Sequence, residues 1–293
     1  MDAVILFSHG SLLCGSGIAL NGHAQRLLQT GGAPIVEVGY LNYSTPAFQD
    51  TVASVVSQGA TSITVVPYFL IPGKFVQVDL PRAVSKASEL YPNVTFRTAE
   101  AIGFDTRLGD ALIESAENAA GSACWRIDLA QATSSCLNRQ DCPLFGTELC
   151  SGKAQPADGT QWISTPSFGR DSLVVMVHGS PRPEANEAMY RVVDVVRQRN
   201  IFHTVEVGFM ECNSPTIPEA ISTCIHSGAE TVTAVPYFLH TGTHVADDLP
   251  TILEESIVIH PGIQFRMGRF LGCASALTDI LLDRLTQKLQ PAA

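Results

Sequence analysis

The apolar positions of residues 171–293 change period in a regular order. LVVMV at 173–177 is a short, unbroken apolar run that ends in His178-Gly179-Ser180, the pattern of a buried strand opening into a loop. Residues 184–199 are charged on one face and carry Met189, Val192, Val193 and Val196 at helical spacing. The pattern then predicts a strand at 204–210, a helix at 215–227 and a strand at 231–239. A loop over 240–247 leads to a helix starting near Leu249-Pro250, since proline suits the first turn, where its missing N–H costs little. A strand at 263–268 and a helix at 274–289 complete the series. Strands alternating with helices imply a parallel sheet covered on both faces, with right-handed crossovers.

The same pattern occurs earlier in the chain. GATSITVVPYFL at 59–70 returns as GAETVTAVPYFL at 228–239, an offset of 169. That offset also aligns His9-Gly10-Ser11 with His178-Gly179-Ser180, VEVG at 36–39 with VEVG at 205–208, and Asp79-Leu80-Pro81 with Asp248-Leu249-Pro250. The expected organisation is α/β: two tandem, similar parallel-sheet lobes, 1–118 and 171–293, facing each other across a cleft. Residues 119–170 have no partner in the repeat and form a Cys-containing connector.

Three polar residues of the second copy follow successive strands: His178, Glu211 and His244. Each step is about one β-α unit, so all three belong at the carboxyl ends of parallel strands, where open α/β sheets bind ligands. Two imidazoles and a carboxylate suit a divalent ion such as Co²⁺, Fe²⁺ or Ni²⁺, and imidazole accepts protons near neutral pH. A single histidine at a strand end is more often structural; three on one edge favour a site. The first copy keeps His9 but has Asn42 in place of Glu211 and Phe75 in place of His244. It reads as a half with a degenerate site, and His9 is either a retained loop residue or a ligand contact.

Composition narrows the function. With 293 residues, 45% apolar and 16% charged, the chain can bury a large core without disulfide staples. Its net charge of −10 argues against nucleic acid as a partner. No apolar stretch is long enough to suggest a membrane span, and MDAVILFSHGS starts a strand rather than a signal peptide, so a cytoplasmic location is expected. No P-loop or G-x-G-x-x-G sequence appears. Monomer and homodimer both remain open.

HGS after the first strand, together with PYFLHTGTHVADDLP at 236–250, resembles the class II chelatases of tetrapyrrole synthesis. The likeness is to the two-lobe sirohydrochlorin cobaltochelatases and ferrochelatases, and it covers both copies. It implies insertion of a divalent metal, Co²⁺ by preference, into sirohydrochlorin on the cobalamin or siroheme route. It also implies that His178 and His244 act in metal binding and proton removal, helped by Glu211. In the long members of that family the intact set usually occupies the first lobe; here it is in the second. A polycarboxylate macrocycle needs cations, and Arg182, Lys74, Arg97, Arg266 and Arg269 are the candidates, with His9 beside them. Cys124, Cys136, Cys142 and Cys150 in the connector suit an iron–sulfur cluster or zinc, disulfides, or free thiols. The alternative functions are a non-catalytic tetrapyrrole or metal carrier, and a redox-sensing binding protein.

Overall fold

The computed structural model describes residues 1–11, 17–126 and 170–286. Two four-stranded, all-parallel sheets are present. The first contains β1 (Asp2–Ser8), β2 (Ile35–Tyr40), β3 (Ser62–Pro67) and β4 (Thr95–Thr98), in the order β2-β1-β3-β4. The second contains β5 (Asp171–Val177), β6 (Val205–Phe209), β7 (Thr231–Pro236) and β8 (Gln264–Met267), in the order β6-β5-β7-β8. Every residue of β5 is buried, as are six of the seven in β1, which is why these strands read as unbroken apolar runs.

The helices of the first repeat are α1 (Ile18–Gln29), α2 (Phe48–Ser57), α3 (Leu80–Leu90) and α4 (Thr106–Glu117). Those of the second are α5 (Glu187–Gln198), α6 (Ile217–His226), α7 (Leu249–Ile259) and α8 (Ala276–Thr286). Proline opens α3, α6 and α7. At α6, Thr216 and Glu219 form a capping box: the Glu219 carboxylate accepts from the Thr216 N–H at 2.7 Å. The loop expected at 240–247 differs. A π-helical turn, His244–Asp248, runs directly into α7, and its counterpart Phe75–Asp79 runs into α3.

The described residues fall into two compact units, and each is built from both repeats. Residues 1–103 form one unit together with α8 from the end of the chain. There α8 packs on α1 and β3. Arg284 donates to the carbonyls of Ala101 and Ile102, and Thr278 bonds the buried His23 at 2.9 Å. The other unit combines residues 170–274 with 104–126. In it α4 packs on α5 and β7, with Gly109 where any side chain would press on Val195. The sequence repeats and the compact units therefore differ by an exchange of their last helices. The first residues of the connector belong to this second unit: Trp125 is buried in its core and donates to the Ala120 carbonyl at 2.7 Å.

Cys136, Cys142 and Cys150 lie outside the described residues, as does the side chain of Cys124. Among the described residues, no helix is long and apolar enough to cross a membrane.

Candidate functional site

In the second sheet the central strand β5 is flanked by β6 and β7, so the three loops that leave their carboxyl ends are neighbours. His178 follows β5, Glu211 lies beyond β6, and His244 opens the π-helical turn beyond β7. The structure brings the two histidines together: their ring centroids are 5.0 Å apart, edge to face. The His178 ring Nδ1 lies 3.2 Å from the Gly179 carbonyl. The His244 Nδ1 lies 2.7 Å from Asp248 Oδ2, one π-helical turn further on, with the two side chains 39% and 41% exposed. A carboxylate on Nδ1 favours the tautomer that leaves Nε2 with a free lone pair.

Glu211 is held by its backbone. Its N–H donates to the His178 carbonyl at 3.0 Å, while its side chain is exposed. Gly179 makes this approach possible: its φ is +96°, and an added Cβ would fall 2.0 Å from the Glu211 carbonyl oxygen. Asn213 ties the same two loops, its Oδ1 accepting from the Ser180 N–H at 2.7 Å and from Asn186 Nδ2 at 3.1 Å. Because β6 ends at Phe209 and Cys212 takes a left-handed φ of 64°, strand alternation does not extend to the Glu211-Cys212 pair. Among the described residues, no group of three or more His, Cys, Asp or Glu side chains is gathered for a metal. The expected three-residue set is thus a histidine pair with Glu211 on the adjoining loop.

The first sheet repeats the frame with other side chains. The Asn42 N–H donates to the His9 carbonyl at 2.9 Å, and Gly10, at φ +89°, leaves room for the Asn42 carbonyl. Phe75 takes the place of His244 and lies 4.3 Å from the His9 ring. Asp79 matches Asp248 but meets Lys74 at 3.7 Å.

The expected cations separate. Arg182 is exposed on the His178 loop, its N–H bonding Ser180 Oγ. Arg269 is exposed on the loop after β8, where its carbonyl accepts from Ser115 Oγ at 2.6 Å. Arg266 requires a correction. It turns from β8 toward Asp171 Oδ2 at 3.9 Å, at the amino end of β5, opposite the histidine edge. Arg97 is exposed within β4, paired in register with Thr64, and is not on a carboxyl-end loop either. Strand alternation explains both, because it sends these side chains off the sheet face rather than past the strand ends.

Sequence reasoning passed over Asp248 and Asn213. Both were in view as polar residues, Asp248 at a four-residue spacing from His244, but that spacing acquires meaning only if 244–248 is helical.

The CbiX family model matches residues 3–119 and again 172–288. The chain is 24% identical over 260 residues to the sirohydrochlorin cobaltochelatase of Priestia megaterium, covering 87% of this chain and 70% of that one. It is also 24% identical over 282 residues to the sirohydrochlorin ferrochelatase of the same organism, covering 96% of this chain and 88% of the relative. In fold it resembles SirB from Bacillus subtilis with Fe³⁺, at a TM-score of 0.72 and 17% identity, covering 97% of this chain and 94% of that one.

Proposed function

The chain belongs to the CbiX family, and from that premise we propose that it inserts a divalent metal ion into sirohydrochlorin at the His178/His244 edge of its second sheet. The observation that carries the reading is the pair of imidazoles 5.0 Å apart on the loops that leave two adjacent strands. Similarity to a sirohydrochlorin cobaltochelatase and a sirohydrochlorin ferrochelatase supports the substrate class.

The chemistry asks for a loose grip. A free macrocycle carries inner N–H protons that the metal displaces, so the site has to present the ion, accept protons and let go. Full four-ligand protein coordination would trap the ion, whereas two imidazoles leave positions open for the incoming nitrogens. In this reading His178 and His244 hold the metal and take up protons. Glu211, exposed on the loop bonded to His178, offsets the positive charge. Arg182, on the His178 loop, and Arg269, on the loop after β8, are the exposed cations offered to the carboxylates of the macrocycle. The ligand types do not separate Co²⁺ from Fe²⁺ or Ni²⁺; Co²⁺ is the first metal to test.

The deciding experiment is an anaerobic absorbance assay with sirohydrochlorin and Co²⁺, then Fe²⁺ and Ni²⁺. Wild type is compared with His244→Ala and with a blank lacking protein, which measures spontaneous insertion. Acceleration that His244→Ala abolishes is expected. Tight macrocycle binding without acceleration for any metal would replace the chelatase with a carrier.

A further inference from the structure

We propose that Arg126, at the start of the connector, is a positioning residue for His244: it braces the π-helical turn and so helps fix where the imidazole stands against His178. The inference rests on the reading of the histidine pair as the metal site.

The connector reaches the turn from a fixed base. Ala120 exchanges backbone hydrogen bonds with Met267 at the end of β8, at 3.0 and 2.9 Å. Trp125 is buried in the core of the same unit, and its indole N–H donates to the Ala120 carbonyl. Arg126 follows. Its Nε and Nη2 donate to the two carboxylate oxygens of Glu254, at 3.1 and 2.6 Å, in a bidentate fork. Nη2 also donates to Thr251 Oγ1 at 3.1 Å, and Nη1 to Asp247 Oδ1. Asp247 lies within the π-helical turn, while Thr251 and Glu254 lie on α7. One guanidinium thus ties the turn to the helix that follows it, with the connector as its anchor.

The turn is where such a tie matters. π-helical turns are rare and short and frequently sit at functional sites. This one carries His244 and also Asp248, whose carboxylate lies 2.7 Å from the ring. Asp247 adjoins Asp248, so a shift of one moves the group that orients the imidazole. The first repeat gives the comparison. Its turn, Phe75–Asp79, holds no histidine, and where the second repeat has Asp247, Thr251 and Glu254 it has Val78, Arg82 and Ser85. None of these three is an acid. The carboxylates that Arg126 grips are present in the copy that carries His244 and missing from the one that carries Phe75. Folding stability is a poor reason for them. The side chains of Arg126, Asp247 and Glu254 are 46%, 61% and 39% exposed, and ion pairs so open to solvent add little to it.

The test is an anaerobic Co²⁺ titration of the full chain without macrocycle, against a competing chelator. It is read by affinity and by the visible spectrum of the bound ion. Arg126→Ala is expected to weaken binding by about three- to tenfold and to alter the spectrum. This is less than the 10- to 100-fold effect typical of groups that orient a ligand directly, because Arg126 acts one contact further out. The direction of the change is diagnostic. Removing a cation near a metal site would by charge alone tighten metal binding, and a purely structural role would lower the urea midpoint while leaving affinity and spectrum as they are. Arg126→Lys keeps a charge without the fork and should recover most of the loss. Glu254→Gln should weaken binding as well, and the double variant with Arg126→Ala no more than the larger single loss. Arg170→Ala breaks another exposed ion pair of this unit, with Glu230, and should change nothing. An Arg126→Ala affinity within twofold of wild type, or tighter, would overturn the proposal, as would an equal loss in Arg170→Ala. If Arg126→Ala weakens Co²⁺ binding but wild type never accelerates insertion, the brace stands and the chelatase reading falls. If insertion is accelerated and Arg126→Ala binds Co²⁺ as wild type does, the reverse holds.

Discussion

Replacing Asp248 by alanine removes the acceptor on His244 Nδ1 and leaves the ring in place. The contact is 2.7 Å long, between side chains 39% and 41% exposed. A hydrogen bond to a charged group contributes about 1.5–3 kcal/mol when shielded, whereas a fully exposed ion pair contributes at most about 1 kcal/mol. Partial exposure places this one between, at about 1–2 kcal/mol. At about 1.4 kcal/mol per tenfold, that is a loss of roughly five- to thirtyfold in metal affinity. The range overlaps the lower part of the 10- to 100-fold effect typical of groups that orient a metal-bound histidine, about what partial solvation should leave. The assay is an anaerobic Co²⁺ titration against a competing chelator, on the protein without macrocycle. Asp248→Asn keeps an oxygen acceptor and should lose only about threefold. Asp79→Ala, its counterpart in the first repeat, should change nothing, because Phe75 has no nitrogen to orient. Metal affinity in Asp248→Ala within twofold of wild type would refute the reasoning, and so would an equal loss in Asp79→Ala.

Two further outcomes follow from the loops and the buried network. Gly179→Ala places a Cβ 2.0 Å from the Glu211 carbonyl oxygen at φ +96°. The left-handed backbone costs about 1–2 kcal/mol and loss of the Glu211–His178 bond about 1 kcal/mol more, so a clearly lower urea midpoint and weaker Co²⁺ binding are expected; an unchanged midpoint would show that the loops are not locked together. Burial raises the Asp171 carboxyl above its ordinary range, against the pull of the Thr233 hydroxyl and Arg266. The native state therefore holds this proton more tightly than the unfolded chain does. The contribution of Asp171 is most favourable below the ordinary carboxylate range and is lost as pH rises through the raised value. Asp171→Asn should remove that downward slope, which urea midpoints of the two proteins, compared from the ordinary carboxylate range upward, would reveal; identical pH profiles would contradict it.

The site was partly legible for a physical reason. Residues following parallel strands must emerge at one edge, so a regular spacing of chemical side chains reports a shared location before any coordinates exist. This puts His178 and His244 on loops that leave adjacent strands; that their ring centroids lie 5.0 Å apart is visible only in the structure. Glu211 follows β6, as its spacing predicts, but a loop position does not say where a carboxylate points, and the residue is exposed. Arg266 shows the converse failure. Its charge alone makes it a candidate for a polycarboxylate ligand, while the pleat of β8 directs the side chain to buried Asp171.

What the sequence determined by itself is the duplication, the order of strands and helices, and the difference between the two halves. Each follows from local chemistry repeated at a fixed offset of 169. What only the tertiary structure decided is which surface each helix covers and which polar groups meet. The apolar stripe of α4 or α8 states that the helix must be buried against something, and any sheet of matching shape satisfies it. The chain meets that demand by exchange, α8 completing the unit of residues 1–103 and α4 the other. The Asp248 contact likewise needed the π-helical turn, because a four-residue spacing brings two side chains together only when the backbone between them is coiled.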